Sequence, residues 1–288
     1  MSSIWVNGEL VDSSEASVSP LDHGFTVADG VFETLKVVDS EVFAIDRHLA
    51  RLQKSALGLG LGEINLAHID KAVHETLTAN SPLELGRLRI TVTSGAGPLG
   101  SNRGDNSETI VVATSPVAPW PTTTSIAVVP WRRNERSAVV GLKTTSYAEN
   151  VVALEAAHGA NCSEAVFLDT RDFVSEGTGT NIFFVLDGTL FTPGGSCGIL
   201  NGITRDLVLE LTQALNLSVS MGEYRLAELV HADEVFITSS TRDIHPVTEV
   251  KVLDSRLETT EFVSLGIGTI TKKLQAAWAA TYAHNMNP

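Results

Sequence analysis

The sequence predicts an α+β fold, mixed sheet and helix, in two domains. Three observations carry that expectation. Runs rich in β-branched and aromatic residues alternate with amphipathic helical stretches along the whole chain. A proline-rich stretch, "PVAPWPTT", interrupts the alternation near the middle and continues neither a strand nor a helix comfortably. The chain has 288 residues, 43% of them hydrophobic and 19% charged, which is enough for two ordinary domains with their own cores. The expected division is a small N-terminal α/β domain over residues 1–116, a linker over 117–123 and a larger C-terminal domain over 124–288.

The elements follow in order. "SSIWVNGELV" reads as two short strands around an Asn-Gly turn. "GVFETLKVVDSEVFAI" repeats that theme. In the next stretch Ile45, Leu49, Leu52 and Ala56 recur at helical spacing, with Arg47, Arg51 and Lys54 away from the apolar stripe. "IDKAVHETLTAN" is a second helix, and "GRLRITVTSG" and "ETIVVATSP" are strands. Past the prolines, "SIAVVPW" is a strand, and an apolar strand-like run leads to Lys143. "ENVVALEAAHGA" is a helix ended by Gly159. "EAVFLD" is a strand, "NIFFVLDGTLFT" a strand pair folded over Asp-Gly, and "NGITRDLVLELTQAL" a helix that begins after a glycine. "LAELVHADEVFITSS" passes from short helix to strand. "EFVSLGIGTITKKLQAAWAAT" reads as a closing helix. No repeats or low-complexity segments occur.

The net charge of -14 argues against general nucleic-acid binding, which needs a basic surface. It leaves a small anionic substrate open, because a few arginines make a positive pocket on an acidic protein. Cys162 and Cys197 belong to no metal-ligand spacing, so neither a disulfide framework nor a metal site is expected. No apolar run reaches membrane-spanning length and the start has no signal-peptide pattern, so a cytoplasmic location is the default expectation.

Five features could carry chemistry. Lys143 stands among apolar and uncharged residues in "GLKTTSY", where desolvation would make its amine a nucleophile able to bond a carbonyl. On that segment alone an ordinary surface lysine is the commoner outcome. "SEGTGTNIFFV" sets Glu176 before a glycine-rich turn, where a buried carboxylate would need a cationic or protonated partner; on that segment alone an exposed glutamate in a hairpin turn is somewhat the commoner outcome. "NGITRDL" puts Gly202, Ile203 and Thr204 at a helix start, an anion site by geometry or a plain helix cap. Ser240 and Thr241 follow a strand end, where hydroxyls can meet a phosphate or simply face water. Arg51 lies on a basic helix face, which is usually only solvated.

Together and in this order these motifs resemble the class IV aminotransferase family, the fold-type IV pyridoxal-phosphate enzymes. The resemblance runs from "WVNGELV" and "DHGFTVADGVFETLKV" through "HLARLQKSA", "LKTTSYAENV", "SEGTGTNIFFV" and "GITRDLVLEL" to "SSTRDIHPV". It implies a D-amino acid aminotransferase-like fold with pyridoxal 5'-phosphate between the domains, and commonly a homodimer. It implies that Lys143 bonds the cofactor covalently and then moves protons, and that Glu176 pairs with the ring nitrogen. Arg51, Ile203, Thr204, Thr241 and Ser240 would hold the phosphate, and Tyr147 would stand near the ring oxygen. Phe32, Thr34 and Lys36 share one strand face and with Arg89 are candidate substrate contacts. Strand packing explains the first three equally well, and an ion pair explains Arg89.

Within the family, "GVFETLK" resembles the 4-amino-4-deoxychorismate lyases, which release pyruvate and 4-aminobenzoate from a small-molecule amine in folate biosynthesis. The alternative is an amino acid aminotransferase of branched-chain or broad specificity. D-amino acid aminotransferases carry an Arg-x-His carboxylate trap where this chain has Gly97, Pro98, Leu99 and Gly100, which counts against that substrate class. A member that binds the cofactor without turnover is the non-enzyme alternative, opposed by the joint presence of Lys143, Glu176, Arg51 and Thr204.

Overall fold

The structure is a computed structural model that describes residues 2–105, 107–283 and 285–288. The chain forms two compact units: Met1–Pro119 with Leu142–Ser146 and Met286–Pro288, and Trp120–Gly141 with Tyr147–Asn285. The change at Pro119 falls inside the proline-rich stretch.

The first unit contains β1 (Ser3–Val6), β2 (Glu9–Asp12), α1 (His23–Thr26), β3 (Gly30–Val38), β4 (Glu41–Val42), α2 (Ile45–Leu59), α3 (Leu66–Ala79), β5 (Leu85–Thr93) and β6 (Thr109–Pro116). Its strands form an antiparallel sheet in the order β2-β1-β6-β5-β3-β4. Asn7 and Gly8 both take positive φ in the β1–β2 turn, as an Asn-Gly hairpin requires. α2 packs on β3, and α3 packs on β1, β5 and β6. Their apolar stripes meet the inner sheet face in one core that includes Val31, Leu35, Leu52, Ala56, Ile69, Val73, Leu88, Ile90 and Val112. Strand alternation puts Val31, Glu33, Leu35 and Val37 toward this core and Phe32, Thr34 and Lys36 on the opposite face.

The second unit contains β7 (Thr124–Arg133), α4 (Ala148–Gly159), β8 (Glu164–Asp169), β9 (Val174–Gly177), β10 (Asn181–Leu186), β11 (Thr189–Pro193), α5 (Ile203–Ala214), β12 (Val219–Gly222), α6 (Leu226–Val230), β13 (Glu234–Ser239), β14 (Asp243–Leu253), β15 (Thr259–Ser264) and α7 (Thr269–Tyr282). The sheet runs β12-β11-β10-β13-β14-β7-β8-β9, with β15 also paired to β14. β7 pairs in parallel with both β14 and β8, and β11 with β12, while the hairpins are antiparallel. α4 packs on β7 and β8, and α5 and α7 on β13. β8, β10 and β13 are buried at nearly every position because both sheet faces are covered.

Two local expectations change. "EFVS" is not part of the closing helix but the end of β15, in register with β14 through Lys251–Phe262 and Val252–Glu261. Thr259, Thr260 and Val263 are β-branched and suit the pleat, and Gly266 and Gly268 separate the strand from α7. The run before Lys143 is not a strand either. Residues 138–142 form turns, and Gly141 takes φ +74, a left-handed conformation that ends an extended run.

Among the described residues, no helix is long and apolar enough to cross a membrane.

Candidate active site

The Lys143 segment is anchored by its backbone. Lys143 N–H donates to Ser55 Oγ of α2 at 3.1 Å, and Phe32 N–H of β3 donates to the Lys143 carbonyl at 3.0 Å. Thr144 bridges to Val31, and Thr145 N–H donates to the Gly30 carbonyl at 2.8 Å. Leu142 lies where any Cβ on Gly58 would stand, so glycine in α2 permits the close approach. The Lys143 side chain is half-buried, with Nζ 4.4 Å from the centre of the Phe32 ring. Its surroundings are therefore part polar and part aromatic rather than simply apolar.

Arg51 is not merely solvated. Its Nε and Nη2 donate to the two oxygens of Glu33 at 2.8 and 2.7 Å. His48 Nδ1 lies 2.6 Å from Glu33 Oε2. Burial alone would push the Glu33 carboxyl up, but the Arg51 charge and hydrogen bonds, helped by His48, bring it down to about 2. Burial pushes the His48 imidazole down, and its attraction to Glu33 only partly opposes that. At neutral pH the trio is then a carboxylate, a guanidinium and a neutral imidazole that donates from Nδ1.

On the outer face of the same sheet, the β3–β5 register sets Phe32 against Thr91, Thr34 against Arg89 and Lys36 against Arg87. The Arg89 guanidinium carbon lies 3.8 Å from the Phe32 ring centre, and Arg89 Nε donates to Thr91 Oγ1 at 3.2 Å. Arg89 and Lys143 thus both stand over one aromatic ring, a favourable arrangement for cations. The candidate substrate residues Phe32, Thr34, Lys36 and Arg89 thus share one cationic, aromatic face.

In the second unit, Glu176 is the next-to-last residue of β9. Its Oε2 accepts from Leu200 N–H at 2.8 Å, and Oε1 lies 3.7 Å from Arg133 Nε. Asn181 Nδ2 donates to the Leu200 carbonyl at 2.8 Å, so the chain before α5 is held on both sides. A Cβ on Gly202 would run into Asn181 Oδ1, which explains the glycine. Gly202 is the N-cap of α5 and supplies no side-chain cap, leaving the first-turn N–H groups of the helix that starts with Ile203 and Thr204 suited to an anion. Ser240 and Thr241 turn the chain from β13 to β14, just beyond Thr238, which pairs with Asn181. Tyr147 immediately precedes α4, whose Asn150 donates to the Thr178 carbonyl at 2.6 Å and accepts from Arg133 Nη1 at 3.0 Å. Glu164 takes the Thr178 N–H at 3.0 Å and its hydroxyl, fixing the turn after Glu176.

The loop after β5 carries no cationic trap at residues 97–100. The Pro98 carbonyl lies 2.8 Å from His23 Nε2, and a Cβ on Gly97 would strike that imidazole. Arg103, a little further on, forms a fork on Asp29, with Nε at 2.6 Å from Oδ2, and also binds the Leu59 and Gly60 carbonyls. It is committed to holding the loop.

The residues fit pyridoxal 5'-phosphate chemically. An amine for the aldehyde, a carboxylate for the ring nitrogen, and a guanidinium, hydroxyls and an uncapped helix start for the phosphate are all present, and Gly202 removes the side chain that would block that helix start. Sequence reasoning missed Glu33, His48, Ser55 and Arg133. Glu33 had a signal, a carboxylate on the apolar side of a strand. The other three depend on long-range contacts.

Residues 30–250 match the family model "Amino-transferase class IV". A Methanocaldococcus jannaschii protein with a provisional name as a branched-chain-amino-acid aminotransferase is 36% identical over 94% of this chain and 93% of its own length. The aminodeoxychorismate lyase of Bacillus subtilis is 28% identical over 86% of each chain. The branched-chain aminotransferase of Thermoproteus uzoniensis, solved with norvaline, superposes with a TM-score of 0.87 at 30% identity, over 96% of this chain and 94% of that one. This chain belongs to the class IV aminotransferases, enzymes whose cofactor is pyridoxal phosphate.

Proposed function

We propose that this chain is a pyridoxal-phosphate-dependent 4-amino-4-deoxychorismate lyase. The observation that carries the proposal is the outer face of β3 and β5, where Phe32 lies beneath Arg89 at 3.8 Å and Lys143 Nζ at 4.4 Å, with Thr34, Lys36 and Arg87 on the same face. A cyclohexadiene ring that carries one carboxylate itself and a second on its enolpyruvyl ether suits an aromatic platform among cations. An aliphatic side chain would call for a dry apolar wall, and this face is polar and charged.

When bound, pyridoxal phosphate supplies an electron sink for the carbon that carries the substrate amine. Lys143 Nζ would take the proton from that same carbon of the substrate ring. The C–O bond to the enolpyruvyl group breaks, and the departing group takes up a proton to become pyruvate. Ring carbon and nitrogen leave as 4-aminobenzoate, so atoms balance without water or an oxidant. Glu176 would hold the ring-nitrogen proton, and Arg51, Ile203, Thr204, Ser240 and Thr241 the phosphate. Tyr147 would face the ring oxygen.

An amino acid aminotransferase is the second reading, favoured by the 36% identity to the Methanocaldococcus jannaschii protein and by the Thermoproteus uzoniensis structure. Supplying aminodeoxychorismate should yield 4-aminobenzoate and pyruvate in equal amounts. Branched-chain or D-amino acids with 2-oxoglutarate should yield little glutamate. Transamination without any 4-aminobenzoate would refute the lyase and establish the second reading.

A further inference from the structure

β3 and α2 hold a carboxylate that the proposed reaction leaves without a task. Glu33 stands between Val31 and Leu35 on the helix-facing side of β3 and is wholly buried. A lone carboxylate there would be strongly disfavoured. Three donors answer it. Arg51 gives Nε to Oε1 at 2.8 Å and Nη2 to Oε2 at 2.7 Å, and His48 Nδ1 lies 2.6 Å from Oε2. His48 and Arg51 are three residues apart on α2, hence on one face. The trio is graded in exposure: the Glu33 and His48 side chains are 0% and 1% exposed and that of Arg51 12%. The carboxylate is therefore the buried anchor, and the guanidinium is its outermost member.

We infer that Glu33, with His48 as its second donor, is the positioning residue for Arg51, fixing the plane of the guanidinium for the phosphate of the cofactor. The inference rests on Arg51 as a phosphate ligand. A two-point fork sets the orientation of both partners, which a single hydrogen bond does not. A side chain already held in one rotamer loses less freedom when an anion arrives. The same helix also holds the Lys143 backbone through Ser55, so α2 and β3 set both the amine and the guanidinium from one rigid framework.

The test compares pyridoxal 5'-phosphate with pyridoxal, which has the same ring and aldehyde but no phosphate. Affinities of the full chain, stripped of cofactor, are measured for both by fluorescence titration. R51A should lose most of the preference for the phosphorylated form. E33Q should reduce the ratio of the two affinities at least about tenfold while pyridoxal affinity stays within about twofold. A general packing defect would weaken both ligands alike, so the ratio isolates the phosphate. An unchanged R51A ratio would remove the phosphate role of Arg51 itself. A lowered R51A ratio with an unchanged or raised E33Q ratio would overturn the positioning role alone and show that Glu33 only neutralises or competes. Circular dichroism reports whether E33Q folds. If it does not, E33D retains the charge but withdraws it by about 1.5 Å. Its ratio should then fall by a smaller factor, and an unchanged ratio would again overturn the inference.

Discussion

Glu33 and His48 tie the folded state to pH. Burial opposes ionisation of Glu33, yet Arg51 and His48 lower its pKa from 4.5 to about 2. A depressed carboxyl contributes stability that is fully present above the unfolded value and is lost as pH falls toward the folded one. The His48 imidazole is also depressed, chiefly by burial, from an unfolded value of 6.5. Its contribution is likewise complete above 6.5 and lost on acidification, because the unfolded chain takes up the proton first. Both groups therefore act in one direction. Urea midpoints should fall from pH 7 downward, first through His48 and then, below about 4.5, through Glu33. H48Q should flatten the upper part of that profile; an unaltered profile would show that His48 does not titrate with folding. At this scale Lys143, Glu176 and Thr204 were conspicuous in the sequence because their spacing along the chain resembles a family pattern. Glu33 was less so: alternation sets it among Val31, Leu35 and Val37, and only its partners on α2 explain why a charge stands there.

Element starts hold two further tests. Gly202 begins α5 against Asn181, and a Cβ would run into Asn181 Oδ1. G202A should destabilise the chain by about 1–3 kcal/mol, the range for forced overpacking. It should also weaken pyridoxal-phosphate binding if the α5 start holds phosphate. Denaturant melts and cofactor titration measure the two effects separately. α7 begins at Gly268, which offers no side-chain cap. The buried Glu234 replaces it, accepting Ile270 N–H at 3.0 Å, Thr271 N–H at 2.7 Å and Thr271 Oγ1 at 2.7 Å. E234A should cost about 1–3 kcal/mol through unsatisfied buried donors. Faster amide exchange confined to the first turn of α7 would mark the cause, and unchanged exchange there would exclude it. Most elements were legible from periodicity and turn residues. β15 was not, since "EFVS" joins an apolar-rich tail and its strand state depends on pairing with β14. The Lys143 turn was misread for a related reason: Val139 and Val140 suit a strand locally, but Gly141 and the contacts of residues 142–145 with β3 and α2 decide the outcome.

For the molecule as a whole, the proline-rich stretch marks where one compact unit gives way to the other. The assignment of Leu142–Ser146 to the first unit was invisible in sequence, because it depends on hydrogen bonds to Phe32, Gly30 and Ser55, all distant along the chain. Family membership follows from a match over residues 30–250. Fold does not decide substrate choice, which rests on the side chains of the site. If Arg89 is the substrate contact proposed for it, R89A should raise KM for a dicarboxylate amine far more than it lowers kcat. Equal loss in both parameters would place Arg89 in the chemistry instead. The central claim is that Lys143 is the lysine that bonds the cofactor. Borohydride reduction of the chain loaded with pyridoxal phosphate, followed by peptide mapping by mass spectrometry, tests it most directly. The label should appear on the peptide containing Lys143 and be absent from K143A. A label on Lys36, or one that survives in K143A, would contradict the account.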